Sequence, residues 1–237
     1  MESVFDLLAL SPPGWGGVLL RGLVNTIQIA LGAYFLGLLL GFGGALGKIY
    51  GGPVLRFFLE IYTTLFRAIP ELVLILLLYY AGSALLNSML ESMGYERVDI
   101  DGLWAGIYVI GVVQGAYITE VLRAAFLSVP TGQIEAGRAI GLSGIQNHTR
   151  IIIPAMIPAA LPGLANLWLI TTKDTALLAV LGFGELLSQA GHAAGSTKAY
   201  GTFYLAAGAL FLCLSLASTG IFALIERHYR RGQPVQG

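Results

Sequence analysis

Five apolar runs constrain this chain more than any other feature. A helix needs ~20 apolar residues to cross a ~30 Å hydrocarbon core. Five stretches reach that length, from Val18 to Leu46, Phe57 to Ala81, Leu103 to Ala125, Leu161 to Leu181 and Thr202 to Ile225. They leave 56% of the 237 residues hydrophobic and only 11% charged, where about a quarter is usual for soluble domains. Each run also holds glycines or polar residues that lipid would penalise, so the helices are expected to pack on one another through small residues. The expected fold is all-α: a polytopic membrane protein of five transmembrane helices, forming one domain over residues 1–237.

Charge and cysteine usage narrow the function. The 13 Lys+Arg balance 13 Asp+Glu, so there is no basic field to hold nucleic acid. The single cysteine, Cys213, has no disulfide partner in the chain and reads as a small hydrophobe facing lipid or core. His148, His192 and His228 lack ligand spacing on a shared helix and read as surface histidines, so no metal site is expected. The N-terminus carries Glu2 and Asp6, no basic region and a Pro-Pro-Gly break, unlike a cleavable signal.

Basic residues give the orientation. Lys48 and Arg56 follow the first run, Arg123, Arg138 and Arg150 the third, and Arg227, Arg230 and Arg231 the fifth. The opposite segments hold Glu2, Asp6, Glu91, Glu96, Asp99 and Asp101, with Arg97 and Lys198 as their basic residues. By the positive-inside rule the N-terminus is outside and the C-terminus cytoplasmic.

The segment from about 128 to 158 is neither apolar enough to span nor polar enough to be disordered. Its signals divide it into two short helices. Thr131 can cap the first and Gly141 end it, Ser143 and Gln146 form a capping box for the second, and Pro154 is expected to close the second. A helix pair held at the cytoplasmic face suits docking of a soluble partner; an interfacial loop is the plainer alternative.

Within that segment, EAGRAIGLSGIQNHTRIIIP (Glu135 to Pro154) resembles the E-A-A, three residues, G, nine residues, I-x-L-P signature of bacterial ATP-binding-cassette importer permeases. Glu135, Ala136, Gly141, Ile151 and Pro154 fall in register, while Gly137 stands for Ala and Ile153 for Leu. Thr63 to Leu74, Gly115 to Ala136 and Ala160 to Gly182 are similar to the polar-amino-acid permeases. The stretches Asp99 to Gly106 and Gly191 to Tyr204 most resemble the Q-type subunit of histidine, lysine/arginine and opine importers.

The resemblance implies a transmembrane subunit that carries a polar, basic amino acid or an opine across the bacterial inner membrane. It implies three kinds of partner: an ATPase dimer that docks on Glu135, Ala136, Gly137, Gly141, Ile151 and Pro154, a second permease subunit (M-type or identical), and an extracytoplasmic solute-binding protein. ATP and Mg²⁺ would sit on the ATPases and no cofactor on this chain. GGALGKI (Gly43 to Ile49) ends in Gly-Lys but lacks the spacing and the hydroxyl residue of a phosphate-binding loop. Small Ala136 and Gly137 would let the first short helix sit deep in a partner groove, although Gly137 weakens that helix by roughly 0.5–1 kcal/mol relative to Ala.

Ionisable and amide groups inside the runs are candidates for the transport path, since each is costly in lipid. Arg67 and Glu71 stand at i, i+4 around Pro70 and can pair. Gln114, Tyr117 and Glu120 share a stripe of the third run, with Arg123 able to pair with Glu120. Asn166, Ile170 and Lys173 share a face of the fourth, with Asp174 beside them. Gln114 and Asn166 are expected to face one cavity; interhelical packing is the alternative for each. Leu167 stands where some related permeases carry an acid, which shifts charge selection toward a partner subunit. A secondary transporter with Glu71, Glu120, Lys173 and Asp174 as an ion relay is the competing function. An intramembrane enzyme fits worst, for want of any catalytic spacing.

The charge pattern predicts opposite exposure of residues 99 and 143. In a Cys213→Ala background, Asp99→Cys should react with an impermeant thiol reagent on intact cells, and Ser143→Cys only after the membrane is opened. Labelling of Ser143→Cys in intact cells reverses the orientation.

Overall fold

A computed structural model describes residues 4–229. Glu2, Arg230 and Arg231, which contribute to the charge pattern, lie outside the described residues. Ten α-helices follow in chain order: α1 (Val4–Leu7), α2 (Gly16–Tyr50), α3 (Pro53–Ala68), α4 (Glu71–Ser92), α5 (Gly102–Leu127), α6 (Thr131–Ala139), α7 (Gly144–Asn147), α8 (Ile153–Asp174), α9 (Leu186–Thr197) and α10 (Tyr200–Tyr229). No strand occurs among the described residues. Among the described residues five segments are long and apolar enough to span a bilayer: Gly16–Tyr50, Glu71–Ser92, Gly102–Leu127, Gly144–Leu181 and Tyr200–Tyr229.

Helix α5 lies at the centre of the bundle, and its largest interface is with α2. Lipid tails are as apolar as leucine, so these helices gain little from hydrophobic burial against each other and depend on close van der Waals approach. Glycine makes that approach feasible. A Cβ on Gly41 would stand 2.4 Å from Ile118 Cγ2 and 3.1 Å from the Ile118 backbone carbon, and one on Gly111 would stand 2.8 Å from Leu36 Cδ2. Tyr62 of α3 donates to the Val112 carbonyl at 2.5 Å, and Tyr34 of α2 donates to the Leu164 carbonyl of α8 at 2.9 Å. Both phenols thereby satisfy an O–H that lipid could not.

The second predicted run is not one helix. Pro70 cannot donate into the preceding turn, and Ile69 ends α3 in an extended conformation (φ −91°, ψ 138°). The chain restarts as α4 at Glu71, so Arg67 and Glu71 are not neighbours on one helix surface. Arg67 Nε donates to the Thr63 carbonyl at 3.1 Å instead. Helix α9, too short to stand out as a span, packs Leu186, Ala190, Ala193 and Ala194 against Leu19 of α2 and Phe203 of α10. Glu185 starts it, accepting from the backbone N–H of Leu187 at 2.8 Å and of Ser188 at 2.5 Å. Cys213 is exposed on α10, among the outward Leu212 and Leu216.

Pro154 does not close the second short helix. It occupies the first turn of α8, where a missing N–H is tolerated, and the helix runs on from α7 through a π-helical turn, His148–Ile152. Segment Gly144–Leu181 is therefore one continuous rod whose last turns, Thr175–Leu181, are 3₁₀-helical. Thr131 does not cap α6 either: the extended Pro130 (ψ 130°) takes the N-cap position and Thr131 is already helical.

The α2–α5 seam predicts a sharp size limit. Gly41→Leu should destabilise the bundle by about 1–3 kcal/mol through overpacking. Gly43→Leu, on a face with nothing within 4 Å, should be close to neutral. Thermal unfolding of both variants in detergent checks the pair.

Candidate functional site: two polar clusters and a helical hairpin

The polar residues of the spans separate into two clusters along α5. In the first, near the middle of α5, the fully buried Gln114 donates through Nε2 to Asp174 Oδ2 at 3.0 Å. One turn on, the Tyr117 hydroxyl donates to Glu71 Oε1 at 3.0 Å. Asp174 and Glu71 lie close enough to interact electrostatically. The break at Pro70 brings Glu71 here, and the end of α8 brings Asp174. Both hydrogen bonds come from neutral donors, so two carboxylates share a partly buried pocket of the span. Gln114 Oε1 is buried without a hydrogen-bond partner.

Asn166 and Lys173 are not enclosed with this cluster, although Lys173 acts on Asp174 electrostatically. Both are exposed, on the same face of α8 as Pro162, whereas Gln114 is wholly enclosed. The structure thus separates Gln114 from Asn166. Thr171 and Thr175 turn their hydroxyls back to backbone carbonyls, of Leu167 at 2.7 Å and Thr172 at 2.8 Å.

Glu120 belongs to the second cluster, nearer residues 128–152. Lys48, with 1% of its side chain exposed, binds Glu60 Oε2 at 2.9 Å, Thr63 Oγ1 at 2.7 Å and Glu120 Oε1. The other Glu120 oxygen accepts from Arg123 Nε at 3.0 Å and Nη2 at 2.9 Å. One ammonium thereby hydrogen-bonds Thr63 and Glu120, pairs with Glu60, and ties α2 to α3 and α5. The stripe of Gln114, Tyr117 and Glu120 is real as a helical register, but its members serve different clusters.

The hairpin α6–α7 follows. Gly141 ends α6 in the left-handed region (φ 82°). Ser143 and Gln146 close the capping box, with Ser143 N–H to Gln146 Oε1 at 3.0 Å and Gln146 N–H to Ser143 Oγ at 3.3 Å. Asn147 Nδ2 donates to the Ile134 carbonyl at 2.9 Å and locks the two arms together. Gly137 faces inward, not toward a partner: a Cβ there would meet Ile151 Cδ1 at 2.4 Å and Asn147 Oδ1 at 2.7 Å. Ala136 and Glu135 are exposed, Ile151 is half-buried against the hairpin, and Pro154 is exposed at the start of α8. Ile140 and Ile145 lie 77% and 79% exposed on either side of the turn, an apolar tip that neither short helix covers.

Comparison with known proteins decides the family. A model of the binding-protein-dependent transport system inner membrane component matches residues 33–231. The chain belongs to this family. It is 39% identical over 219 residues to the histidine/lysine/arginine/ornithine transport system permease protein HisQ of Salmonella typhimurium, covering 92% of this chain and 96% of that one. It is 40% identical over 228 residues to the nopaline transport system permease protein NocQ of Agrobacterium fabrum, covering 95% and 97%. A crystal structure of an amino acid ABC transporter with histidines superposes with a TM-score of 0.77 at 28% identity, covering 90% and 95%. An inward-facing MetNI methionine ABC transporter gives 0.75 at 22% identity, covering 92% of this chain and 99% of that one, a likeness of fold. The chain is an inner-membrane permease subunit of an ATP-binding-cassette importer; ATP hydrolysis belongs to separate subunits.

Sequence reading under-used three of the permease's residues. The sequence offers Lys48 only as a cytoplasmic charge and as the end of a failed phosphate-loop match, though a lysine embedded in GGALGKI demands a buried counter-charge. Asp174 stands out in the sequence as a polar neighbour of Lys173 and as a member of the competing relay, not as the partner of Gln114. His148, half-buried, contacts Tyr50 and Phe126 and is not a free surface histidine.

The Lys48 cluster predicts asymmetric costs. Lys48→Met leaves carboxylates beside an apolar side chain and should cost about 3 kcal/mol; adding Glu120→Gln should recover much of it, because a neutral pair needs no counter-charge. Denaturation of the single and double variants measures this.

Proposed function

We propose that this permease moves a polar amino acid with a basic side chain, or an opine, and that Glu71, Tyr117, Gln114 and Asp174 form the polar station of its path. The observation that carries the reading is the carboxylate pair. Burying two acids with only neutral hydrogen-bond donors is expensive in a membrane, and a guanidinium or ammonium group lodged between them offsets that cost. The relatives named for histidine, lysine, arginine, ornithine and nopaline transport support the same substrate chemistry. Asn166 and Lys173, on the small, polar outer face of α8, suit the wall shared with a second permease subunit, M-type or identical.

The hairpin α6–α7 serves as the dock for the ATPase dimer, which holds ATP and Mg²⁺. Its apolar tip at Ile140 and Ile145 supplies buried area, exposed Glu135 supplies a charge, and the Asn147 lock lets the hairpin move as one piece. In this reading the end bearing the hairpin is cytoplasmic and the N-terminus is outside, where an extracytoplasmic solute-binding protein delivers substrate. The relay of a secondary transporter loses its main support because Glu120 is committed to Lys48 and Arg123, away from Glu71 and Asp174.

Glu71→Gln and Asp174→Asn should each lower uptake at saturating binding protein by roughly ten- to hundredfold, the worth of a hydrogen bond to a charged group at about 1.5–3 kcal/mol. Complex yield and melting temperature should hold. Full uptake of arginine and lysine in both variants removes the cluster from the path.

A further inference from the structure

His148 joins three elements at the hairpin end of the bundle. Its Nδ1 lies 2.7 Å from the Gly144 carbonyl oxygen. A carbonyl only accepts, so Nδ1 carries a proton. In the neutral ring Nε2 is then an acceptor, and the Tyr50 hydroxyl, at the last residue of α2, donates to it. The imidazole stacks on Phe126 of α5, with centroids 6.3 Å apart and planes at 26°. Tyr50 meets Phe126 edge-on at 5.7 Å. Beneath the three rings lies an apolar recess walled by Leu46, Leu122, Ile152 and Met156.

A second feature coincides with the first. His148 opens the π-helical turn His148–Ile152, where Ile153 N–H reaches back five residues to the His148 carbonyl. Pro154, in the first turn of α8, follows directly on it. A π turn is a soft place in a rod. A shift from π to α register displaces what precedes it by about one residue, roughly 1.5 Å of rise. A load applied to α7 would be absorbed there before it reached α8, unless the near end of the turn were held from the side.

We infer that His148 and Tyr50 are positioning residues of energy coupling. Their hydrogen bond, braced by Phe126, holds the near end of the π turn and passes displacement of the α6–α7 hairpin to the ends of α2 and α5. This rests on the reading of the hairpin as the ATPase dock. Delivery to α2 is effective because Lys48, half a turn before Tyr50, fastens that end of α2 to α3 and α5. The hairpin thus reaches the bundle by two routes, along the soft rod into α8 and across the clasp into α2 and α5.

The test uses the whole importer, with ATPase, second permease subunit and binding protein, reconstituted in proteoliposomes, and reads substrate imported per ATP hydrolysed. Tyr50→Phe keeps every ring and removes one hydroxyl, so folding is protected; His148→Ala removes the clasp. Both should keep complex yield and melting temperature while the ratio falls about fivefold or more, in the range of ordinary coupling energies. The double variant should be no worse than His148→Ala alone, because the two residues share one interaction. An unchanged ratio in Tyr50→Phe and His148→Ala, or lost yield with an intact ratio, overturns the inference. A wild-type complex whose hydrolysis is not tied to import, or whose ATPase does not bind the hairpin, fails at the coupling reading instead, before any variant is compared.

Discussion

Close approach of α2 and α5 is the condition on which the rest of this permease depends. Inside a bilayer helices gain stability by contact, not by leaving water, and contact requires that bulk be missing where backbones meet. Gly37, Gly41 and Gly44 of α2 receive Gln114, Ile118 and Thr119 of α5, while Gly106, Gly111 and Gly115 of α5 receive Ile29, Leu36 and Leu40 of α2. The exchange is reciprocal, and it makes α5 the most enclosed of the spans. Once α5 is fixed, its polar side chains have no lipid to avoid and can be used for chemistry.

The use differs with depth. Around Gln114 and Tyr117, acids from α4 and α8 take hydrogen bonds from neutral donors, while Lys173 and Arg67 act on the cluster electrostatically. Around Glu120, charge is matched: Lys48 and Arg123 face Glu120 and Glu60. A buried lysine ringed by acids contributes little net stability because desolvation offsets attraction, yet its geometry is exacting. It therefore suits a junction that must hold three helices in fixed register. Two sets of polar groups only about two helical turns apart on one helix thereby serve opposite ends.

The hairpin and α8 form a single mechanical element. Asn147 locks the arms, the capping box and left-handed Gly141 fix the turn, and the rod runs from Gly144 to Leu181, placing Asp174 near its far end. If the hairpin is the dock proposed above, movement at Ile140 and Ile145 would reach the carboxylate pair along one path and α2 and α5 along another.

The sequence by itself determined the membrane class, the number of spans, the capping box, the turn at Gly141 and the family resemblance. These depend on run length, local hydrogen bonding or spacing, all written in consecutive residues. It did not determine that Ile69 and Pro70 break the second run, because a proline tolerated in a kinked helix and one that ends it look alike until the next helix has a place to pack. Nor did it reveal that Gly137 faces Ile151 and Asn147, that Glu120 answers Lys48 seventy-two residues away, or that Gln114 is sealed while Asn166 is open. Helical register tells which residues share a stripe, but most stripes on α5 face a neighbour. Which neighbour stands opposite each side chain is fixed by the packing of α2, α3, α4 and α8 around it, and only the tertiary structure decided that.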